Sequence, residues 1–335
     1  MSDESESIAE VLEESDFSGA VRIDVGTTTL LATARGWADR AYDVPSTVDT
    51  RFAIASGTKT FTALAVVSLI VDGVLSLETT ARSLLGSDLP AIDDAVTIEH
   101  LLTHRSGIGD YLDEDAMDSV ADYVLAVPVH RLDGAEAYLQ ILDGFPHAFA
   151  PGERFTYNNG GYVVLAILAE RAAGRPYAEL VHDRVTGPAG MTRTSFLRSD
   201  ERPGDVAAGY LETTGLRTNV LHMPLVGVGD GGLFTTVADV HAFWAAVTDG
   251  RIVPPDWFAR MTAPSGEFAA DEWRHGMGFW LGPSGSAAIQ EGSDAGISFR
   301  SSHDAIAGVT WTVVSNTSEG AWPVARRIRE LFPPS

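Results

Sequence analysis

The stretch FAIASGTKTFTALAVVSLIVDGVLSL, Phe52 to Leu77, holds the only lysine of the chain, Lys59. Apart from histidine, every other basic side chain is arginine. The lysine stands three residues after Ser56, where an apolar helical run begins. Residues three apart share a face of a helix, so Ser56 and Lys59 are expected to point into one site. A serine hydroxyl is a weak nucleophile until a neighbouring base takes its proton. Lysine serves as that base only when its pKa falls, and burial and the positive end of a helix dipole both lower it. Arginine cannot substitute, because it does not deprotonate. The plain alternative is a serine capping a helix that carries a lysine in its first turn.

Outward from this stretch the chain reads as a hairpin, then helices, then strands, then a last helix. Ser7–Glu14 has helical spacing. Phe17–Val25 and Thr28–Asp39 read as two strands around a turn at Gly26 and Thr27. Thr97–His104 is expected to form a short helix, and Asp118–Gly144 to be mostly helical. Gly161–Gly174 and Thr236–Gly250 are apolar helices with glycine stops. The last third breaks into short apolar runs, MGFWLG, SAAIQEG, GISFRSS and GVTWTVVSN, which read as strands, and PVARRIRELF closes as a helix. The pattern is α+β: one antiparallel sheet flanked by helices, with a helical lobe inserted. The expected organisation is a single domain over 1–335, with an α/β part at about 1–85 and 230–335 and the helical lobe at about 86–229.

Composition narrows the function classes. The 335 residues are 45% hydrophobic and 21% charged, ample for a packed core. With no cysteine, disulfides, thiolate metal sites and a cysteine nucleophile are excluded. A net charge of −23 repels nucleic acid and anionic membranes, so no nucleic-acid or membrane partner is expected. No apolar run reaches the roughly 18 residues of a membrane helix. The acidic opening MSDESESIAEVLEES is the opposite of a secretory signal, and the expected location is the cytoplasm.

A second motif, FTYNNGGY, lies about one hundred residues after Ser56 and carries Tyr157 and Asn159 as Tyr-x-Asn just before a helix. A tyrosine oxygen near Lys59 would share its proton relay, and an asparagine amide would bind a substrate carbonyl or amide. Together with FSGAV, GWADRAYDVPSTVDTRFAIASGTKT, TIEHLLTHRSGIGDY and GDGGLFTTVADVHAFWAAVTDG, these blocks resemble the serine β-lactamase-like and penicillin-binding-protein-like hydrolases. The similar branch holds class C β-lactamases, family VIII esterases and D-aminopeptidases, and the resemblance covers nearly the whole chain. It implies the β-lactamase/transpeptidase-like fold, with Ser56 as the acylated nucleophile, Lys59 as its base partner, Tyr157 as the second proton carrier and Asn159 as a substrate contact.

The chain departs from that family at the third motif. Where the resemblance leads one to expect Lys-Thr-Gly or His-x-Gly on a strand, the sequence has Gln290, Glu291 and Gly292. The cation is gone and a carboxylate is added. Two carboxylates about 4 Å apart repel by about 4 kcal/mol at an effective dielectric of ~20, so an anionic substrate is disfavoured unless Glu291 faces away or Arg300 neutralises it. The backbone at Gly292 and Ser293 still offers an oxyanion-hole N–H beside the amide of Ser56.

Three further signals are set aside. His100 and His104 are spaced i, i+4 but lack the glutamate of a zinc-binding helix. GVGDGG at 227–232 is outside any strand–turn–helix unit that would bind a dinucleotide. Asn316–Ser318 spells a glycosylation sequon without a secretory context. The expected protein is therefore a serine hydrolase that cleaves a small ester or a D-amino-acid amide or peptide through an acyl-enzyme, with no cofactor and no metal. A β-lactamase or D-alanyl-D-alanine carboxypeptidase is the nearer alternative, and a non-catalytic binding protein on the same fold the more distant one.

Overall fold

The computed structural model describes residues 3–113, 123–266, 273–282 and 286–334. An amphipathic helix, α1 (Asp3–Glu14), leads into a hairpin of β1 (Gly19–Val25) and β2 (Thr28–Arg35). Gly26 takes the left-handed φ of 59° that a two-residue turn requires. Then come helices α2 (Thr58–Val71), α3 (Ile98–Leu102), α4 (Asn159–Ala173) and α5 (Val237–Thr248). The last third supplies β3 (Arg274–His275), β4 (Trp280–Leu281), β5 (Ala287–Asp294), β6 (Ile297–Asp304) and β7 (Val309–Ser315), before the closing helix α6 (Ala321–Leu331).

These seven strands form one antiparallel sheet in the order β2-β1-β7-β6-β5-β4-β3. The first hairpin and the last strands thus complete a single sheet, with β1 pairing β7 from Gly19↔Ser315 to Val25↔Val309. One face of the sheet is covered by α1 and α6, where Ile8, Leu12, Val21, Trp311, Val324 and Ile328 form a core of their own. The opposite face meets α2 and α5. There Ala20, Phe299 and Val314 join Phe61, Phe243 and Trp244 in a larger core that continues through Leu165 and Leu168 of α4. Every residue of α2 from Thr58 to Leu69 is buried. A helix enclosed on all sides is apolar all round, which is why this run shows little amphipathic periodicity.

One expectation needs correction. Of the segment read as mostly helical, Asp118–Gly144, residues 118–122 lie outside the described residues. The remainder holds only single turns at Val129–Arg131, Ala135–Tyr138 and Leu139–Leu142. Pro128, Gly134 and Gly144 punctuate it, and their cost outweighs the apolar periodicity. The apolar helix follows Ser56, as expected. Ser56 sits in a one-turn 3₁₀ helix, Ala55–Gly57, between the short strand Phe52–Ala53 and α2. Among the described residues no helix is long and apolar enough to cross a membrane.

Candidate active site

Ser56 is presented by a tight, strained turn. The preceding residue, Ala55, has a φ of 43°, a left-handed conformation that costs a non-glycine residue about 1–3 kcal/mol and must be imposed by its surroundings. Two glycines allow those surroundings to close in. A Cβ on Gly57 would lie 2.7 Å from the Phe299 ring. A Cβ on Gly292 would lie 2.0 Å from the Ile54 carbonyl oxygen and 2.8 Å from the amide nitrogens of Ser56 and Gly57. Strand β5 is paired with β4 only at Ala288 and Ile289. Beyond that point its edge meets the turn that carries Ser56, and Gly292 and Ser293 share one cleft with the serine.

Lys59, in the first turn of α2, is buried, and its ammonium donates hydrogen bonds within the described residues. They go to Ser56 Oγ at 2.8 Å, Asn159 Oδ1 at 2.7 Å and the Asp230 carbonyl at 3.0 Å. The Tyr157 ring centroid is 4.9 Å from Lys59 Nζ. Tyr157 itself is clamped between the His104 ring, stacked at 4.6 Å, and the Trp280 ring, stacked at 5.8 Å. Asn159 is the first residue of α4. Its amide nitrogen Nδ2 donates to the Leu112 carbonyl at 2.9 Å, so its side chain links the lysine to the loop that follows α3. Ser56, Tyr157 and Asn159 come from segments up to about one hundred residues apart and border one cleft of about 200 Å³, whose wall also includes Asp110, Trp280 and Glu291, while Lys59 reaches the cleft through its hydrogen bonds to Ser56 and Asn159.

Comparison with known proteins accords with this geometry. The beta-lactamase family profile matches residues 5–332. The chain belongs to the beta-lactamase family. Among related proteins, it is 36% identical to esterase EstB of Burkholderia gladioli over 199 residues, which cover 57% of this chain and 50% of the esterase. It is 25% identical to the putative penicillin-binding protein PbpX of Bacillus subtilis over 287 residues, 84% of this chain and 66% of that protein. The chain thus spans between half and two thirds of the length of these relatives. The crystal structure of a penicillin-binding protein from Bacillus halodurans superposes with a TM-score of 0.91 at 32% identity, covering 97% of this chain and 100% of the other. The family is one of serine hydrolases, and the chain is an enzyme of that superfamily with its antiparallel sheet and flanking helices.

In this family member the strand beside the nucleophile is rearranged. Glu291 lies directly opposite Arg300 in the β5–β6 register, and the two side chains form an ion pair. Arg300 is held between the rings of Trp273 at 5.4 Å and Trp322 at 5.2 Å. The arginine that the sequence could not place therefore neutralises Glu291, instead of reaching towards a substrate. Gln290, expected as a substrate contact, is not among the residues that line the cleft. It is buried, and its amide atoms have no hydrogen-bond partner among the described residues. Gly292 and Ser293 do border the cleft.

Several residues of the site were not singled out from sequence. Asp110 accepts hydrogen bonds from the backbone of Asn159 at 2.6 Å, Gly160 at 2.9 Å and Leu112 at 3.3 Å, and so anchors the start of α4. Burial pushes its carboxyl up to about 6, against these hydrogen bonds and the nearby Lys59, which favour ionisation. His104 accepts from the Asn158 amide through Nδ1 at 3.0 Å. Burial, reinforced by His275 and Lys59, holds His104 well below the usual histidine range, and burial takes His275 down to about 3. Both imidazoles are thus neutral walls beside Lys59. His100, the other histidine of the set-aside pair, closes a capping box with Thr97 at the start of α3. The glycine run 227–232 packs closely. A Cβ on Gly229 would lie 2.0 Å from the Tyr162 carbonyl oxygen, and this approach brings the Asp230 carbonyl to Lys59.

Proposed function

We propose that the enzyme cleaves a small ester or a D-amino-acid amide through an acyl-enzyme on Ser56, with Lys59 and Tyr157 as its proton-transfer unit. The observation that carries the reading is the 2.8 Å hydrogen bond between Lys59 Nζ and Ser56 Oγ, made inside a buried pocket that also fixes the lysine by two further acceptors. With the amine neutral, Ser56 Oγ attacks the substrate carbonyl carbon and its proton passes to Lys59. Negative charge develops on the carbonyl oxygen, and the amides of Ser56 and Ser293 are the donors proposed to receive it. The C–O or C–N bond to the leaving group then breaks, and the leaving group takes up a proton delivered through Tyr157 and Lys59. Water, deprotonated by the same pair, cleaves the Ser56 ester in the second half of the cycle. Asn159 holds Lys59 in line through Oδ1.

The third-motif strand supports neutral substrates over β-lactams. Where the family resemblance implies a cation for the substrate carboxylate, Gln290 is buried and Arg300 is engaged with Glu291. The test is intact mass spectrometry after exposure to a fluorophosphonate and to benzylpenicillin, alongside hydrolysis of p-nitrophenyl esters, D-amino acid p-nitroanilides and nitrocefin. One fluorophosphonate adduct, absent in Ser56→Ala, together with ester or anilide turnover far above nitrocefin turnover, is the expected result. An adduct that persists in Ser56→Ala removes the serine from its role, and nitrocefin turnover equal to the best ester removes the substrate ranking.

A further inference from the structure

A cavity of about 550 Å³ lies on the face of the sheet that carries α1 and α6, at the C-terminal end of α6. Its size is within the roughly 300–1,000 Å³ of small-molecule sites. The strand register builds its floor. Side chains alternate across a strand, so Ala287 and Ile289 of β5 share this face with their partners Asp304 and Ser302 of β6. Trp311 of β7 continues the row opposite Ser302. Trp273, Arg329 and residues 332–334 form the sides. No residue lines both this cavity and the cleft of Ser56, Tyr157 and Asn159.

The two ends of the cavity differ in charge. At one end Arg300 and Arg329 share the Trp273 ring, their Cζ atoms 5.4 Å and 5.8 Å from its centroid. Arg300 is paired with Glu291. The Arg329 guanidinium has neither a hydrogen bond nor an ion pair among the described residues, although the chain has 46 acidic side chains for 23 basic ones. Asp304 stands at the other end, four residues along β6, about 13 Å away at ~3.3 Å per residue. Its carboxylate accepts from the Ser286 hydroxyl at 2.9 Å and from the amides of Ile306 at 2.9 Å and Ala307 at 3.0 Å. Between the ends, Ile289 and Trp311 make the floor apolar.

From the cationic end and the apolar floor beside it, we infer that this cavity is a binding site for an amphipathic monoanion, an aliphatic carboxylate of about the length of octanoate. The carboxylate head lies on Arg329 and the free side of Arg300, and the chain runs over Ile289 and Trp311 and stops short of Asp304. Such binding is independent of the chemistry at Ser56. A guanidinium without an acceptor gains charge-assisted hydrogen bonds from a carboxylate. The apolar floor gains from each methylene that displaces water. A neutral chain would leave Arg329 without an acceptor, and a small anion would leave the floor wet. A second negative charge at the far end of the ligand would meet Asp304 and be repelled.

The experiment is calorimetric titration of the full chain with octanoate, octan-1-ol and acetate. Octanoate is expected to bind about tenfold or more tighter than either of the others, the scale of a hydrogen bond to a charged group. Arg329→Met keeps the apolar stem and removes the charge, at an exposed position in the last turn of α6. It is expected to weaken octanoate about fivefold or more and to leave octan-1-ol unchanged. Arg326→Met makes the same change in net charge on the same helix, away from the cavity wall, and is expected to leave octanoate binding as it was. Equal affinity for octanoate and octan-1-ol, or an equal effect of the two substitutions, overturns the site. A concentration-dependent dimer that Arg329→Met dissociates would make this face an interface between copies of the chain, and overturns it as well.

Discussion

At the scale of single residues, the site turns on one buried ammonium and its acceptors. Lys59→Arg preserves the charge but removes any capacity to take the Ser56 proton, and general-base catalysis contributes about 10²- to 10⁴-fold. We expect kcat to fall by that range while the fold survives, measured by steady-state kinetics and circular dichroism. Near-normal turnover in Lys59→Arg would place the base elsewhere. Tyr157→Phe alone should also be slow, and the double variant should lose much less than the sum of the two single losses, because both act on one proton. The serine, lysine, tyrosine and asparagine were legible in sequence because each belongs to a short motif with a chemical reason for its spacing. Asp110, Asp230 and the His104 clamp on Tyr157 were not. Their effect depends on which backbone groups approach them through space, and RSGIGD or GDGG taken alone reads as a turn.

Elements position these residues by close approach, and glycine is where that approach can be tested. Gly292→Ala places a methyl 2.0 Å from a backbone oxygen of the Ser56 turn, so β5 must withdraw from the nucleophile. The expected outcome is a loss of at least about 10²-fold in kcat, the scale of one oxyanion donor, with the substrate KM much less affected. Retention of full kcat would show that β5 does not supply the donor. The start of α4 carries a second test. The Asp110 carboxyl is raised by burial from its ordinary 3.8 to about 6, so the folded state favours its protonated form. Its contribution to stability is full below 3.8 and is lost as pH rises through about 6. The change is about 3 kcal/mol at ~1.36 kcal/mol per unit. Asp110→Asn, which cannot ionise, should therefore gain stability relative to the natural protein between pH 4 and pH 7. Denaturant melts at the two pH values measure it, and an unchanged difference would refute it. The single antiparallel sheet was legible because short apolar runs bounded by glycine and polar residues mark its strands, whereas their order rests on pairings distant in sequence. The failure at 118–144 had a physical cause: apolar spacing persists there, while Pro128, Gly134 and Gly144 cut the helix into single turns.

Over the whole molecule, 46 acidic residues face 23 lysines and arginines, a surplus that no local pairing can remove. The arginines are drawn into contact pairs, such as Arg51 with Asp205 at 2.6 Å and Arg171 with Asp88 and Glu136 at 2.7 Å each. The remaining carboxylates repel one another over longer distances. Salt acts unequally on these two terms. The screening length shrinks from about 30 Å at 0.01 M to about 3 Å at 1 M, which removes repulsion across the surface while contact pairs a few ångströms apart, and partly buried, keep more of their attraction. The folded protein should therefore be stabilised as sodium chloride rises from ~0.01 M to ~1 M. A gain of about 1–2 kcal/mol corresponds to about 1.5–3 °C in Tm for a chain of this size, at about 2.1 cal/mol/K per residue. Chloride is the anion to use, because sulfate also strengthens apolar burial and would mask the electrostatic effect. A Tm that falls with sodium chloride would mean that the arginine pairs outweigh the surplus of negative charge.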